Sequence, residues 1–345
     1  MIRFETDYAE GAHPKILQRL LETNEVQTSG YGTDEYCENA RRNIRMACND
    51  ETIDVHFLVS GTQTNKTIIA SVLRPYQGVI SATTGHIAVL ETGAIEATGH
   101  KILTLPTTDG KITAEQVKSL CESHWNSSCP IHMVQPGMVY ISQPTEIGTL
   151  YNKSELTELY KVCQKYNLPL MIDGARLGYG LVSQGNDLTL EDIVKLSDVF
   201  YIGGTKIGAL FGEAVVITND QFKSDFRYMI KQNGGLLAKG RLLGIQFETL
   251  FKDELYYELS KHAVEMAMLI KEAILEAGIV LQEETRTNQL FPIFSDEMLK
   301  KLNKKYAFTF WEKVSETQSK VRICTSWATK KEHVNMLIED IKKYK

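Results

Sequence analysis

The chain has 345 residues, a net charge of −5, 43% hydrophobic residues and 23% charged residues, a balance that excludes a disordered or fibrous protein. The lack of a long basic run argues against a nucleic acid or an anionic membrane as partner. Six scattered cysteines without metal-ligand spacing, and a first segment without an apolar signal region, predict a reduced cytoplasmic protein that binds no metal.

Short apolar runs alternate with helical patterns over the first 220 residues, which predicts an α/β domain with a mainly parallel, seven-stranded sheet. The expected strands span residues 55–59, 78–81, 102–105, 138–142, 168–172, 199–202 and 214–218. The expected helices span residues 62–73, 91–99, 154–166 (with Ser154 as N-cap) and 190–196. The apolar stretch over 199–217 is interpreted as strand, loop and strand, because Lys206, Glu213 and four glycines interrupt it.

The pattern changes after about residue 220. Residues 242–277 predict one long helix, and a smaller α+β segment follows it. In that segment we expect strands over 290–294, 308–311 and 321–325 and an amphipathic helix over 331–343. The chain is therefore expected to form a large α/β domain from residues 15–245, and a small α+β domain from residues 246–345 together with 1–14.

Ligands of open parallel sheets bind beyond the carboxyl ends of the strands, so polar residues at those ends are candidate site residues. Gly61 and Thr62 open the helix after the first strand, where free N–H groups suit a phosphate; an ordinary strand-to-helix turn is the alternative. Asp173 follows the fifth strand and needs a partner if buried, the alternative role being an ion pair with Arg176. Lys206 follows the sixth strand in an apolar, glycine-rich setting that favours a nucleophilic amine rather than a loop-edge lysine that reaches water.

These three strand ends together meet the needs of pyridoxal phosphate, whose aldehyde requires a lysine, whose ring nitrogen requires a carboxylate and whose phosphate requires an anchor. His86 follows the second strand and is placed to stack on the cofactor ring, with Glu91 to orient it; a surface histidine is the alternative. Arg322 lies between apolar residues of the small domain, where it suits an amino-acid carboxylate unless it is a strand-edge arginine facing water.

The ordered set of short motifs resembles the threonine aldolase and β-eliminating lyase family, whose members use pyridoxal phosphate and have the aspartate-aminotransferase fold. The resemblance covers nearly the whole chain. The motifs that carry it are Phe4-Glu5-Thr6-Asp7, Tyr31-Gly32-Thr33-Asp34, Ser60-Gly61-Thr62, Gly85-His86-Ile87 with Glu91, Asp173-Gly174-Ala175-Arg176-Leu177, Thr205-Lys206, and Arg322.

The resemblance implies a role for each matching residue. Lys206 would hold the cofactor aldehyde, Asp173 would pair with the ring nitrogen, and Arg176 would lie near the phenolic oxygen. The remaining implied site residues are His86 on the ring, Gly61, Thr62 and Thr205 among the cofactor ligands, Thr6 and Arg322 on the substrate carboxylate, and Tyr31. A homodimer or homotetramer is also implied, in which basic residues beside a glycine run reach the phosphate of the neighbouring subunit; the candidates are Lys231, Lys239 and Arg241.

The implied reaction is the cleavage of L-threonine or L-allo-threonine to glycine and an aldehyde, and β-elimination to a keto acid and ammonia is the alternative. One departure concerns the loop after residues 138–142, where typical members carry a histidine and this chain has Thr145 and Glu146. The base that removes the proton of the substrate hydroxyl is left open among His86, Glu91, Glu146 and a water.

A nucleotide-dependent oxidoreductase is disfavoured, since the near-match to G-x-G-x-x-G at Gly178 does not join a strand to a helix. A retained fold that binds the cofactor without turnover is the non-catalytic alternative.

Overall fold

The computed structural model describes residues 1–345 as fourteen strands and thirteen α-helices. The strands are β1 (Ile2–Arg3), β2 (Asp54–Leu58), β3 (Gln77–Ala82), β4 (Ile102–Leu105), β5 (Gln135–Ser142), β6 (Leu170–Asp173), β7 (Val199–Gly203), β8 (Glu213–Ile217), β9 (Val280–Leu281), β10 (Gln289–Leu290), β11 (Pro292–Ser295), β12 (Tyr306–Ala307), β13 (Thr309–Ser315) and β14 (Gln318–Cys324). The helices are α1 (Pro14–Glu22), α2 (Glu35–Cys48), α3 (Gly61–Val72), α4 (His86–Val89), α5 (Ala114–Trp125), α6 (Lys153–Lys165), α7 (Leu177–Val182), α8 (Leu190–Lys195), α9 (Phe226–Gln232), α10 (Arg241–Leu250), α11 (Leu255–Glu276), α12 (Asp296–Leu302) and α13 (Lys331–Tyr344).

Seven strands form the central sheet in the order β2-β8-β7-β6-β5-β3-β4. All neighbours from β7 to β4 are parallel, whereas β8 runs antiparallel to both β2 and β7. Strands β6, β7 and β8 are buried along their whole length, as expected for strands covered by helices on both faces. The predicted α/β fold with a mainly parallel, seven-stranded sheet is confirmed, and each expected strand of that sheet is present.

A second, antiparallel sheet lies in the C-terminal part of the chain, in the order β10-β14-β11-β9 with β13 added on β14. The N-terminal β1 pairs with β12, so residues from both ends of the chain share this part of the molecule. Helix α11 connects the two sheets: Tyr256 and Leu259 pack in the core of the central sheet, and Ile270 and Ile274 pack in the C-terminal core. None of the helices is both long enough and apolar enough to cross a membrane.

Two predicted helices are wrong in their extent. Residues 91–99 contain only a 3-10 turn over Glu96–Thr98, because Gly93 and Gly99 adopt positive φ angles of 71° and 90° that interrupt an α-helix. The single helix predicted over 242–277 is in fact α10 and α11. Asp253 and Glu254 lie between them at positive φ angles of 53° and 58°, which a continuous helix does not contain.

Two smaller differences concern an N-cap and a strand. The N-cap of α6 is Asn152 rather than Ser154: its Oδ1 accepts the Glu155 N–H at 2.8 Å, and a Glu155 carboxylate oxygen accepts the Asn152 N–H at 2.9 Å. This reciprocal capping box satisfies two of the free N–H groups of the first turn. The strand predicted over 290–294 is divided at Phe291 into β10 and β11, which pair with different parts of β14.

Candidate active site

A cavity of about 500 Å³ opens at the carboxyl edge of the central sheet, within the size range of small-molecule sites. Because the parallel strands end at the same edge, residues that are distant in the sequence meet there. Nine of the predicted site residues line this cavity: Gly61, Thr62, His86, Thr145, Glu146, Asp173, Arg176, Thr205 and Lys206.

Lys206 lies half-buried in the cavity wall, in the tight loop between β7 and β8. The loop is closed by the backbone N–H groups of Gly204 and Thr205, which donate to the Gly212 carbonyl at 2.9 and 3.1 Å. The amine is not hydrogen-bonded to another side chain; burial, followed by the positive charge of Arg176, lowers its pKa below the usual lysine value. A lysine in this state has a larger unprotonated fraction and is a better nucleophile.

Asp173 is the last residue of β6 and is 5% exposed. One carboxylate oxygen accepts hydrogen bonds from the Tyr140 hydroxyl at 2.5 Å and the Asn65 amide at 3.2 Å, and the other accepts the Ala175 N–H at 3.0 Å. Burial alone would raise the pKa of Asp173, but the charge of His86 and these hydrogen bonds outweigh it and hold the pKa below its usual value. The side chain is therefore a buried carboxylate at neutral pH.

Asp7, rather than Asp173, is the partner of Arg176, so the alternative of an Asp173–Arg176 ion pair is wrong. The Arg176 guanidinium donates to both Asp7 carboxylate oxygens, at 2.7 and 3.0 Å, and the Asn288 amide donates to one of them at 2.9 Å. Burial would raise the pKa of Asp7, but the charges of Arg176 and Lys206 lower it to about 2. The bidentate pair fixes the guanidinium at the cavity wall.

We expect Asp7→Asn to lower the free energy of unfolding by about 3–5 kcal/mol, because it leaves the buried Arg176 charge without its partner. Urea denaturation of the cofactor-free protein at neutral pH measures the change. Since the folded-state pKa of Asp7 lies below the value of 3.8 for a free aspartate, this stabilisation is present above that value and is lost as the pH falls towards 2. Glu158→Gln, which breaks the exposed pair with Lys161, is the control and should change stability by less than about 1 kcal/mol. Equal effects of the two substitutions would contradict the prediction.

A hydrogen-bonded chain lies behind His86. The ring Nδ1 is 2.8 Å from Oε1 of Glu91, and the Asn65 amide donates to the same oxygen at 2.7 Å and to Asp173 at 3.2 Å. The Glu91 side chain is fully buried and outside the cavity lining, whereas His86 lines the cavity. Glu91 is thus in contact with the ring but not with the space in which a substrate binds.

The first turn of α3 forms the cavity wall next to β2. Ser60 caps the helix, its Oγ accepting the Gln63 N–H at 3.4 Å, while Gly61 and Thr62 occupy the first two helical positions. A Cβ atom at Gly61 would lie 3.3 Å from the Tyr201 hydroxyl, so a side chain here would crowd the cradle. Free N–H groups at a helix N-terminus bind phosphate, and the amine, the carboxylate and this cradle share one cavity. The residues present therefore fit pyridoxal phosphate.

The loop after β5 places Thr145 and Glu146 at the cavity, in the loop where the family resemblance implies a histidine. Oε1 of Glu146 accepts two hydrogen bonds, from the Ser142 hydroxyl at 2.6 Å and from the His86 N–H at 2.8 Å. Burial raises the pKa of Glu146 above its usual value. Thr145 Oγ1 lies 2.6 Å from Thr149 Oγ1 and is occupied within its own loop.

Thr6 and Arg322 do not line the cavity. The Arg322 guanidinium donates to the Glu5 carbonyl at 3.2 Å and lies 5.7 Å from the centre of the Trp311 ring. Because Thr6 follows Glu5 in the chain, this contact also holds Arg322 near Thr6. Its Nε is buried without a partner, so one donor of the guanidinium is unused.

Four other predicted residues also lie outside the cavity lining of their own chain: Tyr31, Lys231, Lys239 and Arg241. The Lys231 amine lies 5.0 Å from the centre of the exposed Tyr31 ring. Arg241 donates to the Val26 carbonyl and to the carbonyl of Asn24. Lys239 is exposed.

Four buried polar residues of the site were not assigned a role from the sequence: Asp7, Asn65, Tyr140 and Glu213. In the sequence, Asp7 belongs to the N-terminal motif Phe4-Glu5-Thr6-Asp7, and Glu213 is only a charge that interrupts an apolar run. Nothing in the local sequence distinguishes Asn65 from an ordinary helix residue, or Tyr140 from an ordinary core residue of a strand.

A family model described as beta-eliminating lyase matches residues 4–297 of this chain. A low specificity L-threonine aldolase of Pseudomonas aeruginosa is 28% identical over 343 residues, which cover 99% of this chain and 97% of that protein. A low specificity L-threonine aldolase of Escherichia coli is 25% identical over 245 residues, 70% of each chain.

Solved structures agree with these similarities. The threonine aldolase of Leishmania major superposes with a TM-score of 0.97 at 45% sequence identity, over 99% of both chains. An aspartate aminotransferase of Thermus thermophilus has a TM-score of 0.72 at 12% identity, over 100% of this chain and 92% of that one, and shows the shared fold alone. The family predicted from the ordered motifs is confirmed: this chain belongs to the beta-eliminating lyase family and is a homologue of the threonine aldolases over its full length.

Proposed function

We propose that this enzyme cleaves L-threonine or L-allo-threonine to glycine and acetaldehyde, with pyridoxal phosphate as its cofactor. One observation carries the proposal: the unpaired amine of Lys206 lines the same cavity as the charged carboxylate of Asp173. The full-length similarity to L-threonine aldolases supports the substrate class.

The chain offers a contact for each part of the cofactor. Lys206 would hold the aldehyde carbon, Asp173 the ring nitrogen, and the first turn of α3 at Gly61 and Thr62 the phosphate. Arg176, fixed by Asp7, would lie near the phenolic oxygen. When bound, pyridoxal phosphate accepts the electron pair that the Cα–Cβ bond releases. Thr6 and Arg322 are assigned to the substrate carboxylate from the family resemblance, and both lie outside the cavity lining of this chain.

Two proton transfers fall to this chain: removal of the proton from the substrate β-hydroxyl, and delivery of a proton to Cα after the bond breaks. We assign the hydroxyl proton to Glu146, because this carboxylate lines the cavity and its raised pKa makes it a stronger base than an exposed glutamate. Glu91 is excluded from direct contact by its burial behind His86. We assign the delivery of the proton to Cα to the Lys206 amine, which lines the same cavity.

We expect Glu146→Gln to lower the rate of L-threonine cleavage by about 10²- to 10⁴-fold, since the amide cannot take the hydroxyl proton. Exchange of the Cα protons of glycine in D₂O, followed by NMR, should stay within about fivefold of wild type, because glycine has no hydroxyl and this exchange uses Lys206. Loss of both reactions to the same extent would show that Glu146 is required for the shape of the site rather than as a base.

The products test the proposed function itself. Purified protein loaded with pyridoxal phosphate and supplied with L-threonine should release glycine and acetaldehyde in equal amounts. A keto acid and ammonia instead would show β-elimination, the reaction after which the family is named. No change in the spectrum of the bound cofactor on addition of threonine would favour a protein that binds the cofactor without turnover.

We further propose that the enzyme works as a homodimer or homotetramer in the cytoplasm. Lys231, Lys239 and Arg241 lie away from the cavity of their own chain, which agrees with a role in the site of a neighbouring subunit. All six cysteines are free, which supports a reducing compartment. Analytical ultracentrifugation at assay concentration tests the assembly, and an active monomer would rule out a shared site.

A further inference from the structure

Glu213 is a buried acid that the proposed reaction does not use. It is 4% exposed and lines the cavity together with Lys206. Its Oε1 accepts a hydrogen bond from the Thr205 hydroxyl at 2.9 Å, whereas its Oε2 is buried without any partner in the protein. A buried polar atom without a partner is destabilising, so its presence at the cavity indicates a ligand that completes its hydrogen bonding.

The position of Glu213 in the sheet indicates which part of a ligand it meets. Glu213 begins the antiparallel β8, so it lies at the edge where the parallel strands end. It pairs with Leu58 of β2 on one side and with Gly203 of β7 on the other. Strand β2 leads directly to the phosphate cradle at Gly61, and β7 leads to Lys206. Glu213 therefore stands between the cradle and the lysine.

The hydrogen bonds around Glu213 favour a neutral carboxylic acid. The Thr205 hydroxyl accepts the Gly212 N–H at 3.0 Å and directs its own proton to Oε1 of Glu213, which suits a carbonyl oxygen. Burial raises the pKa of Glu213 to about 8, although the charge of Lys206 lowers it in part. At neutral pH the proton then resides on Oε2, which becomes a donor without an acceptor.

We propose that Glu213 binds the phosphate group of pyridoxal phosphate as a neutral acid that donates a hydrogen bond from Oε2. This inference rests on the proposed use of pyridoxal phosphate. An ionised carboxylate would repel a phosphate dianion, whereas a neutral acid donates a charge-assisted hydrogen bond to it. The acid thereby adds a side-chain donor to the N–H groups of the cradle and binds no other part of the cofactor.

The test compares pyridoxal phosphate with pyridoxal, which lacks the phosphate, by titrating the cofactor-free protein and measuring both dissociation constants. We expect Glu213→Ala to raise the dissociation constant of pyridoxal phosphate by about 10- to 100-fold and to leave that of pyridoxal within about twofold of the wild-type value. Glu213→Gln should retain binding of pyridoxal phosphate within about fivefold, because its amide donates from the position of Oε2 and accepts from Thr205. The same weakening of both compounds by Glu213→Ala would overturn the proposal.

A pH series with the wild type keeps the proposal testable if Glu213→Ala does not fold. The charged and titratable groups that face Glu213 are Lys206, Asp173, Tyr201 and Tyr256. Lys206 acts on both compounds alike, the pKa of Asp173 is lowered, and the pKa values of both tyrosines are raised well above their usual value. The preference for pyridoxal phosphate over pyridoxal should therefore fall by about tenfold or more between about pH 7 and pH 9.5 in the wild type, and stay constant in Glu213→Gln.

The outcomes separate this proposal from the proposed function. If the wild type binds neither compound, the cofactor assignment fails and the role of Glu213 fails with it. If the wild type binds pyridoxal phosphate and Glu213→Gln weakens it as much as Glu213→Ala does, the cofactor assignment stands but the neutral acid is wrong. That result would show that Glu213 acts as a carboxylate that positions a cation.

Discussion

Lys206→Ala should lower the rate of glycine formation from L-threonine by at least about 10³-fold and remove the visible absorption of the lysine-bound cofactor. The reason is that the cavity contains one lysine, and its lowered pKa makes it the nucleophile that the cofactor aldehyde requires. Initial rates and the absorption spectrum of the purified protein with added pyridoxal phosphate measure the two effects.

Lys161→Ala is the matched control for this experiment, because Lys161 lies on the exposed face of α6 and pairs only with Glu158. It should leave both the rate and the spectrum unchanged within about twofold. A visible cofactor band that persists in Lys206→Ala would show that another amine holds the aldehyde, and the assignment of the site would then be wrong.

Asp173→Asn should lower the cleavage rate by about 10²- to 10³-fold. The amide keeps the size of the side chain and can still accept the Tyr140 and Asn65 hydrogen bonds, but it carries no charge to keep the cofactor ring nitrogen protonated. Initial rates should be measured at saturating pyridoxal phosphate, with the bound cofactor quantified after alkaline release, so that weaker cofactor binding is not counted as slower chemistry.

A modified cofactor distinguishes this role from a structural one. N-methylpyridoxal phosphate carries a permanent positive charge on the ring nitrogen, so it should restore part of the activity of Asp173→Asn while it gives the wild type no advantage. The same low rate with both cofactors would contradict the assignment and would indicate that Asp173 only organises Tyr140 and Asn65.

Much of this site was predictable from the sequence because the chemistry of a parallel sheet lies at the ends of its strands. Gly61, Asp173 and Lys206 each follow an apolar run, which makes each a candidate, and the three strand ends together indicate the cofactor site. The register then brings the ends together: Ser142 of β5 pairs with Asp173 of β6, and Glu146 follows Ser142 by four residues. The proximity of these residues follows from the shared direction of the parallel strands and does not require a local sequence pattern.

Helix boundaries were less predictable, since they depend on single residues. The helical pattern over 242–277 continues through Asp253 and Glu254, whose positive φ angles end one helix and begin another. Neither residue is a glycine, so the composition did not indicate a break. The same limit applies to Asn152 and Ser154, both of which suit an N-cap in the sequence.

The role of Asp7 depends on a contact that the sequence does not contain. Asp7 lies 169 residues from Arg176, and only the folding of the N-terminal segment over the cavity brings the two together. Glu213 is a similar case. Its place at the site follows from the antiparallel direction of β8, which puts the start of that strand at the edge where its neighbours end.

The sequence by itself determined the seven strands of the central sheet, the family, and the amine, carboxylate and phosphate cradle at three strand ends, because periodicity and residue chemistry are properties of contiguous segments. The tertiary structure alone decided the charge states and the partners of the ionisable groups in the site. Asp173 is held ionised by hydrogen bonds from residues of α3 and β5, the positive charge of Arg176 is paired with Asp7 of the N-terminal segment, and Glu213 is buried beside Lys206. The ionisation of a buried group depends on desolvation and on charges contributed by distant parts of the chain, and neither exists until the chain has folded.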